Sequence, residues 1–277
     1  PEEPEEGETP AASGPNVMDI DFDALIANET DSTLKDMHEY FRDRTPTEKN
    51  QYTGMFQGKN LLLFTGEAFW IGAVNEQYTP TLYKLAHSGF VFENFYNPLW
   101  YYSTVDGEYA ATTGLIPTNQ VNASQRYAGK NGVSMYFSMG NQLRALGYPT
   151  LAYHNNTANY YDRNLSHPNL GYDFYACDTG LDVAMTWPQS DLEMMQLTLP
   201  QALAGEKPFH NYYMTVSGHM NYSFAGNAMS AKHRDEVADL DMSEAARAYL
   251  ACNMELDQAL EYTIKTLEEA GELENTV

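Results

Sequence analysis

The chain is predicted to adopt an α/β fold in which a mainly parallel central sheet carries helices on both faces. Three observations support this. Short apolar runs alternate with helix-patterned segments, which implies right-handed crossovers between parallel strands. The helical patterns begin at capping residues and end at glycines. At 277 residues with 43% hydrophobic side chains, the chain can bury one large core.

Taken in order, "DFDALIANETDSTLKDMHEYFRDR" predicts two short helices, the second from about Ser32 to Arg44. The apolar run Leu61 to Phe64 in "KNLLLFTGEAF" is bounded by polar residues and reads as a buried, central parallel strand. In "YTPTLYKLAHSGFVFENFYN", Thr79 caps a helix, Pro80 takes its first position and Gly89 ends it. "FVFENFY" then reads as a strand. "EYAATTG" is a helix stopped by Gly114, with Ser103 and Asp106 in capping-box spacing at its start. "SMGNQLRALGYPTLAYH" gives a helix, a stop at Gly147 and a strand ending near His154. "LEMMQLTLPQALAGEKPFHNYYMTVSGH" repeats the figure, with a strand from about Phe209 to Val216. The last helix opens with Asp241 and Glu244 as a capping box, carries the stripe Leu250, Met254, Leu260, Ile264 and Leu267, and stops at Gly271.

Composition excludes several functions. Thirty-eight acids against 15 bases give a net charge of −23, which repels duplex nucleic acid and does not cling unaided to an anionic membrane. No apolar run approaches a membrane span and no signal-peptide pattern is present, so direct membrane insertion is not expected. Cys177 and Cys252 form no metal-type spacing and read as free thiols rather than a disulfide. Residues 1–16 are an acidic Pro/Glu-rich tract with the character of a linker, 17–50 hold the preface helices, and 51–277 form the main domain.

In a parallel α/β sheet, chemistry collects at the C-terminal ends of the strands. Glu67, Thr104, His154 and His219 all fall there. On its own stretch, a Ser or Thr at a helix start is an ordinary cap, a lone His is a packed residue and a lone Arg is a surface charge. Spacing alone names no reaction.

The ordered set is more informative. "GKNLLLFTGEAF", "TPTLYKLAHSGFVFENFYN", "STVDGEYAATTGLIPT", "AYHNNTANYYDRN", "GYDFYACD" and "KPFHNYYMTVSGHMNY" together resemble the lipoteichoic acid synthase branch of the alkaline phosphatase/sulfatase superfamily, from about Gln51 to Val277. The resemblance implies that Thr104, followed by x-Asp-x-Glu, is the nucleophile and that Glu67 and Thr104 ligate a divalent metal. Manganese is the expected ion, with magnesium or zinc as alternatives. It also implies substrate contacts from His154, from Tyr161 and Arg163 seven and nine residues further on, and from His219. Arg163 would grip phosphate in bidentate fashion and His154 would donate to the same group. The implied activity is transfer of glycerophosphate from phosphatidylglycerol through a covalent Thr intermediate. An anionic lipid or glycerophosphate polymer would be the substrate, at the extracellular face of a bacterial membrane, with upstream transmembrane segments as the tether.

Two departures matter. Tyr161 stands where the family tends to have Trp. The family also completes its metal site with an Asp-His pair, and this sequence contains no Asp-His dipeptide. The expectation is therefore a domain truncated at its C-terminal end, with an exposed sheet edge, weak metal binding and little activity. A superfamily hydrolase, acting on phosphodiesters or sulfate esters, is the alternative enzyme. The Cys/Ser-x-Pro-x-Arg signature of sulfatases proper is missing around Cys177, Cys252 and Ser103. A non-catalytic polymer-binding module is the alternative of another class.

Overall fold

The computed structural model describes residues 13–17, 20–96, 104–117 and 124–277. Two compact units divide at Gly58 and Lys59. In the first, α1 (Phe22–Asn28) is capped by Asp21, which accepts from the Ala24 N–H, and α2 (Ser32–Arg42) by Asp31, which accepts from the Thr33 and Leu34 N–H groups. An antiparallel bridge joins Pro15 and Glu48.

The second unit is built on four parallel strands: β1 (Leu61–Thr65), β2 (Thr150–His154), β3 (Asp173–Ala176) and β4 (His210–Met214), in the order β1-β4-β2-β3. Helices α3 (Pro80–Ala86), α4 (Thr104–Thr113), α5 (Ser124–Asn131), α6 (Met139–Ala145) and α7 (Arg163–Asn169) lie between β1 and β3 in sequence. Further along come α8 (Asp191–Ala204), α9 (Ala228–Lys232) and the long α10 (Glu244–Glu269). The expected stops hold: Gly89, Gly114, Gly147 and Gly271 all take positive φ, which an L side chain rarely adopts.

Alternate residues of each strand serve opposite faces. On one face Tyr153 and Tyr213 stack with ring centroids 5.3 Å apart, Phe64 stacks on Tyr213 at 5.0 Å, and Met194, Met195 and Leu199 of α8 and Ala259 and Leu267 of α10 close the layer. On the other face Ala152, Tyr212 and Met214 pack with Leu170 and Tyr172.

The central position belongs to β4 rather than to β1. All five residues of β4 are buried, although its sequence, HNYYM, is the more polar. Hydrogen bonds make that burial tolerable. His210 Nε2 lies 3.0 Å from the Tyr172 hydroxyl, Asn211 Nδ2 donates to the Tyr213 hydroxyl at 3.0 Å, and the Tyr212 hydroxyl donates to Glu108 at 3.2 Å. The more apolar β1 flanks the sheet. On its outer side Leu62 N–H donates to Val277 O at 2.8 Å and Val277 N–H to Asn60 O at 2.9 Å, so residues 275–277 run parallel to the start of β1. Among the described residues no strand accompanies Leu63–Thr65 on that side.

Two other expectations are corrected. "FVFENFY" forms no strand, and Phe90, Val91, Phe92, Phe95 and Tyr96 are exposed. The aromatic and β-branched run suits a strand, but no described strand pairs with it, and an unpaired extended segment has no ladder to stabilise it. The last helix is capped by Ser243, whose Oγ accepts from the Ala246 N–H, and not by Asp241. The Ser103 cap lies outside the described residues. Both cysteines are free, and burial pushes their thiols up, Cys177 to about 11 and Cys252 to about 12.

Candidate active site

The site begins where the β1–β4 ladder runs out. Thr215 N–H donates to Thr65 O at 3.1 Å, and two residues on Glu67 N–H donates to Thr215 Oγ1 at 2.9 Å. The Glu67 backbone is thus carried forward on the sheet. Helix α10 holds the following residues: the Tyr249 hydroxyl accepts from Trp70 N–H at 2.8 Å and donates to Ala68 O at 3.1 Å. Gly218 approaches from the other side, so closely that a Cβ there would stand 2.7 Å from Glu67 O.

Thr104 is the first residue of α4, and its hydroxyl donates to Glu67 Oε2 at 3.2 Å. Burial pushes the Glu67 carboxyl above its usual range, while His219, the Thr104 hydroxyl and Arg163 pull it back. A carboxylate raised in this way is the better proton acceptor for the hydroxyl it already holds.

One helical turn on from Thr104 stands Glu108, with no exposed surface. It accepts from Arg163 Nε at 3.0 Å and Nη2 at 2.8 Å and from the Tyr212 hydroxyl at 3.2 Å, with His167 Nε2 3.4 Å away. Burial acts to raise this carboxyl, but Arg163 and His167 outweigh it and hold Glu108 well below the usual carboxylate range. The pair ties α4 to α7 beneath Thr104.

Arg163 is therefore mostly committed. Two of its nitrogens serve Glu108, and Nη1 donates to Tyr160 O at 3.3 Å. The fork expected to clasp phosphate clasps a carboxylate of the same shape instead. The Tyr161 ring lies over the Arg163 guanidinium, 5.4 Å from centroid to Cζ. Tyr161 and Asp162 both take left-handed φ, at 59° and 55°. Such backbone is strained for non-glycine residues. Arg126 Nη2 at 2.6 Å and Lys130 Nζ at 2.9 Å hold it by gripping the Asp162 carboxylate.

His154 is the last residue of β2 and is buried. Burial and then Arg163 pull its imidazole down to about 3, so the ring is neutral, and Nδ1 lies 3.0 Å from Met214 O. Donation to that carbonyl assigns the single proton to Nδ1 and leaves Nε2 an acceptor. The neutral ring cannot play the donor role expected of it. His219 is half-buried after β4, its ring edge-on to Trp187 at 4.9 Å and its Nδ1 2.9 Å from Met220 O.

The fold thus brings Thr104 and Glu67 into contact and sets Arg163 and His219 close enough to act on the Glu67 carboxyl. Sequence reasoning missed the parts played by Glu108, His167 and Tyr212. Glu108 had a signal, because it falls one turn after Thr104 and a buried arginine fork demands a carboxylate.

Glu67 and Thr104 supply two hard oxygens, but the described residues contain no group of three His, Cys, Asp or Glu side chains able to hold a metal ion. Two oxygens make half of a four-coordinate site. The donor set present here does not fit a bound ion by itself.

A parallel sheet with helices on both faces and a Thr–Glu pair at its C-terminal end defines the alkaline phosphatase/sulfatase class. Residues 59–277 match the Sulfatase family model, and the chain belongs to that family. The superfamily is generally metal-dependent. Among curated relatives, lipoteichoic acid synthase 1 of Bacillus subtilis (strain 168) is 24% identical over 243 residues, covering 82% of this chain and 36% of the relative. Lipoteichoic acid synthase 2 of the same organism is 23% identical over 221 residues, covering 74% and 33%. The chain spans about a third of the length of these relatives. The lipoteichoic acid synthase LtaP from Listeria monocytogenes shares the fold at a TM-score of 0.67 and 22% identity, over 80% of this chain and 55% of that one. An alkaline phosphatase superfamily protein from Vibrio parahaemolyticus matches at a TM-score of 0.59 and 21% identity, over 79% and 52%. Within that family the chain is similar to lipoteichoic acid synthases.

Proposed function

We propose that this domain is a phosphotransferase that moves glycerophosphate from phosphatidylglycerol through a covalent intermediate on Thr104. The observation that carries the reading is the hydrogen bond from the Thr104 hydroxyl to the half-buried, proton-avid Glu67 carboxylate at the sheet's C-terminal end. In the first step Thr104 Oγ1 gives its proton to Glu67 and bonds to phosphorus. The bond from phosphorus to the diacylglycerol oxygen breaks, and diacylglycerol leaves after taking a proton from solvent or from His219. In the second step an acceptor hydroxyl attacks the same phosphorus and releases its proton to whichever group supplied one in the first step, solvent or His219, and Thr104 takes its proton back from Glu67. The Glu108–Arg163 pair keeps α4, and hence Thr104, in register with Glu67. Tyr161 forms an aromatic wall, and Arg163 Nη1 and His219 are donors toward the substrate, with His154 Nε2 as an acceptor.

A divalent metal, manganese first, would need ligands beyond Glu67 and Thr104 and, with them, would supply positive charge beside the phosphate. Action at the outer face of a bacterial membrane, on an anionic lipid or glycerophosphate polymer, belongs to the same proposal. The relatives' names and the ordered motifs support it. Among the described residues no helix is long and apolar enough to cross a membrane.

The test incubates the protein with manganese and fluorescent phosphatidylglycerol, following diacylglycerol release and searching for a glycerophosphate adduct by mass spectrometry. An adduct on Thr104 that disappears in Thr104→Ala is the expected result. Diacylglycerol release that survives Thr104→Ala refutes the mechanism. Release dependent on Thr104 with water as the acceptor would favour the hydrolase.

A further inference from the structure

Away from Thr104, a cavity of about 400 Å³ is lined by Phe224, Ala225, Arg234, Ala238, Glu244 and Arg247. Both guanidiniums gather on one ring, Arg234 Cζ 5.4 Å and Arg247 Cζ 5.9 Å from the Phe224 centroid. Their only partners among the described residues are that ring and, for Arg247, Ala238 O, to which Nη1 donates at 2.7 Å. Arg247 Nε is buried with no hydrogen-bond partner. The other three arginines of this unit, Arg126, Arg144 and Arg163, each hold a carboxylate.

In a chain with 38 acids, two like charges held together without a carboxylate are anomalous. They repel each other, and a buried N–H left unpaired is costly. Glu244 lines the same cavity, yet forms no ion pair with either arginine. The arrangement is relieved by an anion that accepts from both forks. Guanidiniums offer many donors and no acceptor, and a tetrahedral oxyanion has enough oxygens to bridge two of them, where a carboxylate has two. The cavity also sits at the start of α10, whose first turn adds the positive end of a 26-residue helix.

We propose that this cavity is a second anion-binding pocket, separate from the Thr104 site, for a phosphate-class oxyanion held between Arg234 and Arg247. Free phosphate and a phosphodiester share the chemistry. Tyr249, two residues after Arg247 on α10, holds the backbone that follows Glu67.

The test records the arginine Nε–H resonances in ¹⁵N-labelled protein during titration with inorganic phosphate, and separately with dimethyl phosphate. Chloride holds the ionic strength constant. The expected result is a saturable shift of the Arg247 Nε–H signal with half-saturation at millimolar concentration or below, weakened about tenfold or more in Arg234→Gln. The Arg234 side chain is exposed and donates no hydrogen bond among the described residues, so this variant keeps its structure. Thr104→Ala should titrate like the parent, which separates failure of this pocket from failure of the phosphotransferase reading. Tighter binding of dimethyl phosphate assigns the pocket to a diester, and tighter binding of inorganic phosphate to the free ion. Absence of saturation by about 50 mM, or an Arg234→Gln titration indistinguishable from the parent's, overturns the proposal.

Discussion

Replacing Glu108 by Gln keeps the side chain's shape and removes its charge, leaving Arg163 buried at 1% exposure without a counterion. The carboxylate loses its charge-assisted bonds to Arg163 Nε and Nη2, and the amide nitrogen of Gln confronts donors where an acceptor stood. Breaking a buried pair from one side costs about 3–5 kcal/mol, most of it the stranded charge. Because Glu108 is held below its ordinary value when folded, its contribution is complete above the unfolded-state value and falls away as pH drops toward the folded one. The deficit of Glu108→Gln relative to the parent should therefore be full at neutral pH and shrink in acid. Urea unfolding at pH 7 and at about pH 4 measures both. A second variant, Glu108→Gln with Arg163→Met, should recover much of the loss, since no charge is then stranded. A loss below about 1 kcal/mol at pH 7, or no recovery in the double variant, would refute the reasoning.

Other outcomes follow from the same geometry. Gly218→Ala places a Cβ 2.7 Å from Glu67 O, with Asn253 Oδ1 at 3.4 Å behind it, so Glu67 must move. Stability should drop by about 1–3 kcal/mol and Thr104 adduct formation should fall further than stability accounts for, read by urea unfolding beside mass spectrometry. Glu67 is raised above its ordinary value by burial, so adduct formation should climb as pH rises through that raised value and level off above it. Glu67→Gln should abolish the climb, and a pH-independent rate in the parent would count against Glu67 as proton acceptor. The same group contributes stability below its unfolded value and loses it as pH rises through the folded one, so Glu67→Gln should be relatively more stable than the parent at neutral pH than in acid. Urea midpoints at the two pH values compare them.

Much of this molecule was legible in the chain itself. Alternation of apolar runs and helical patterns, with glycines at the stops, is local information, and it placed β1, β2 and β4, helices α3, α4, α6, α8 and α10 and the parallel sheet, but not α5, α7, α9 or β3. The ordered motifs likewise named Thr104 and Glu67, which meet across 37 positions of sequence. Tertiary structure decided what local pattern cannot encode. "FVFENFY" has the aromatic and β-branched composition of a strand, yet strands exist by pairing and no described partner takes it. HNYYM reads as a poorer core strand than LLLFT, yet it lies at the centre, because His210, Asn211 and the Tyr212 hydroxyl find partners that appear only after folding. Arg163 reads as a ligand for phosphate, and Glu108, 55 positions away, answers most of its hydrogen-bonding capacity from within. Burial makes the difference: it raises the energetic stakes of every charge and lone pair, and which groups share a buried volume is settled by packing, not by spacing along the chain.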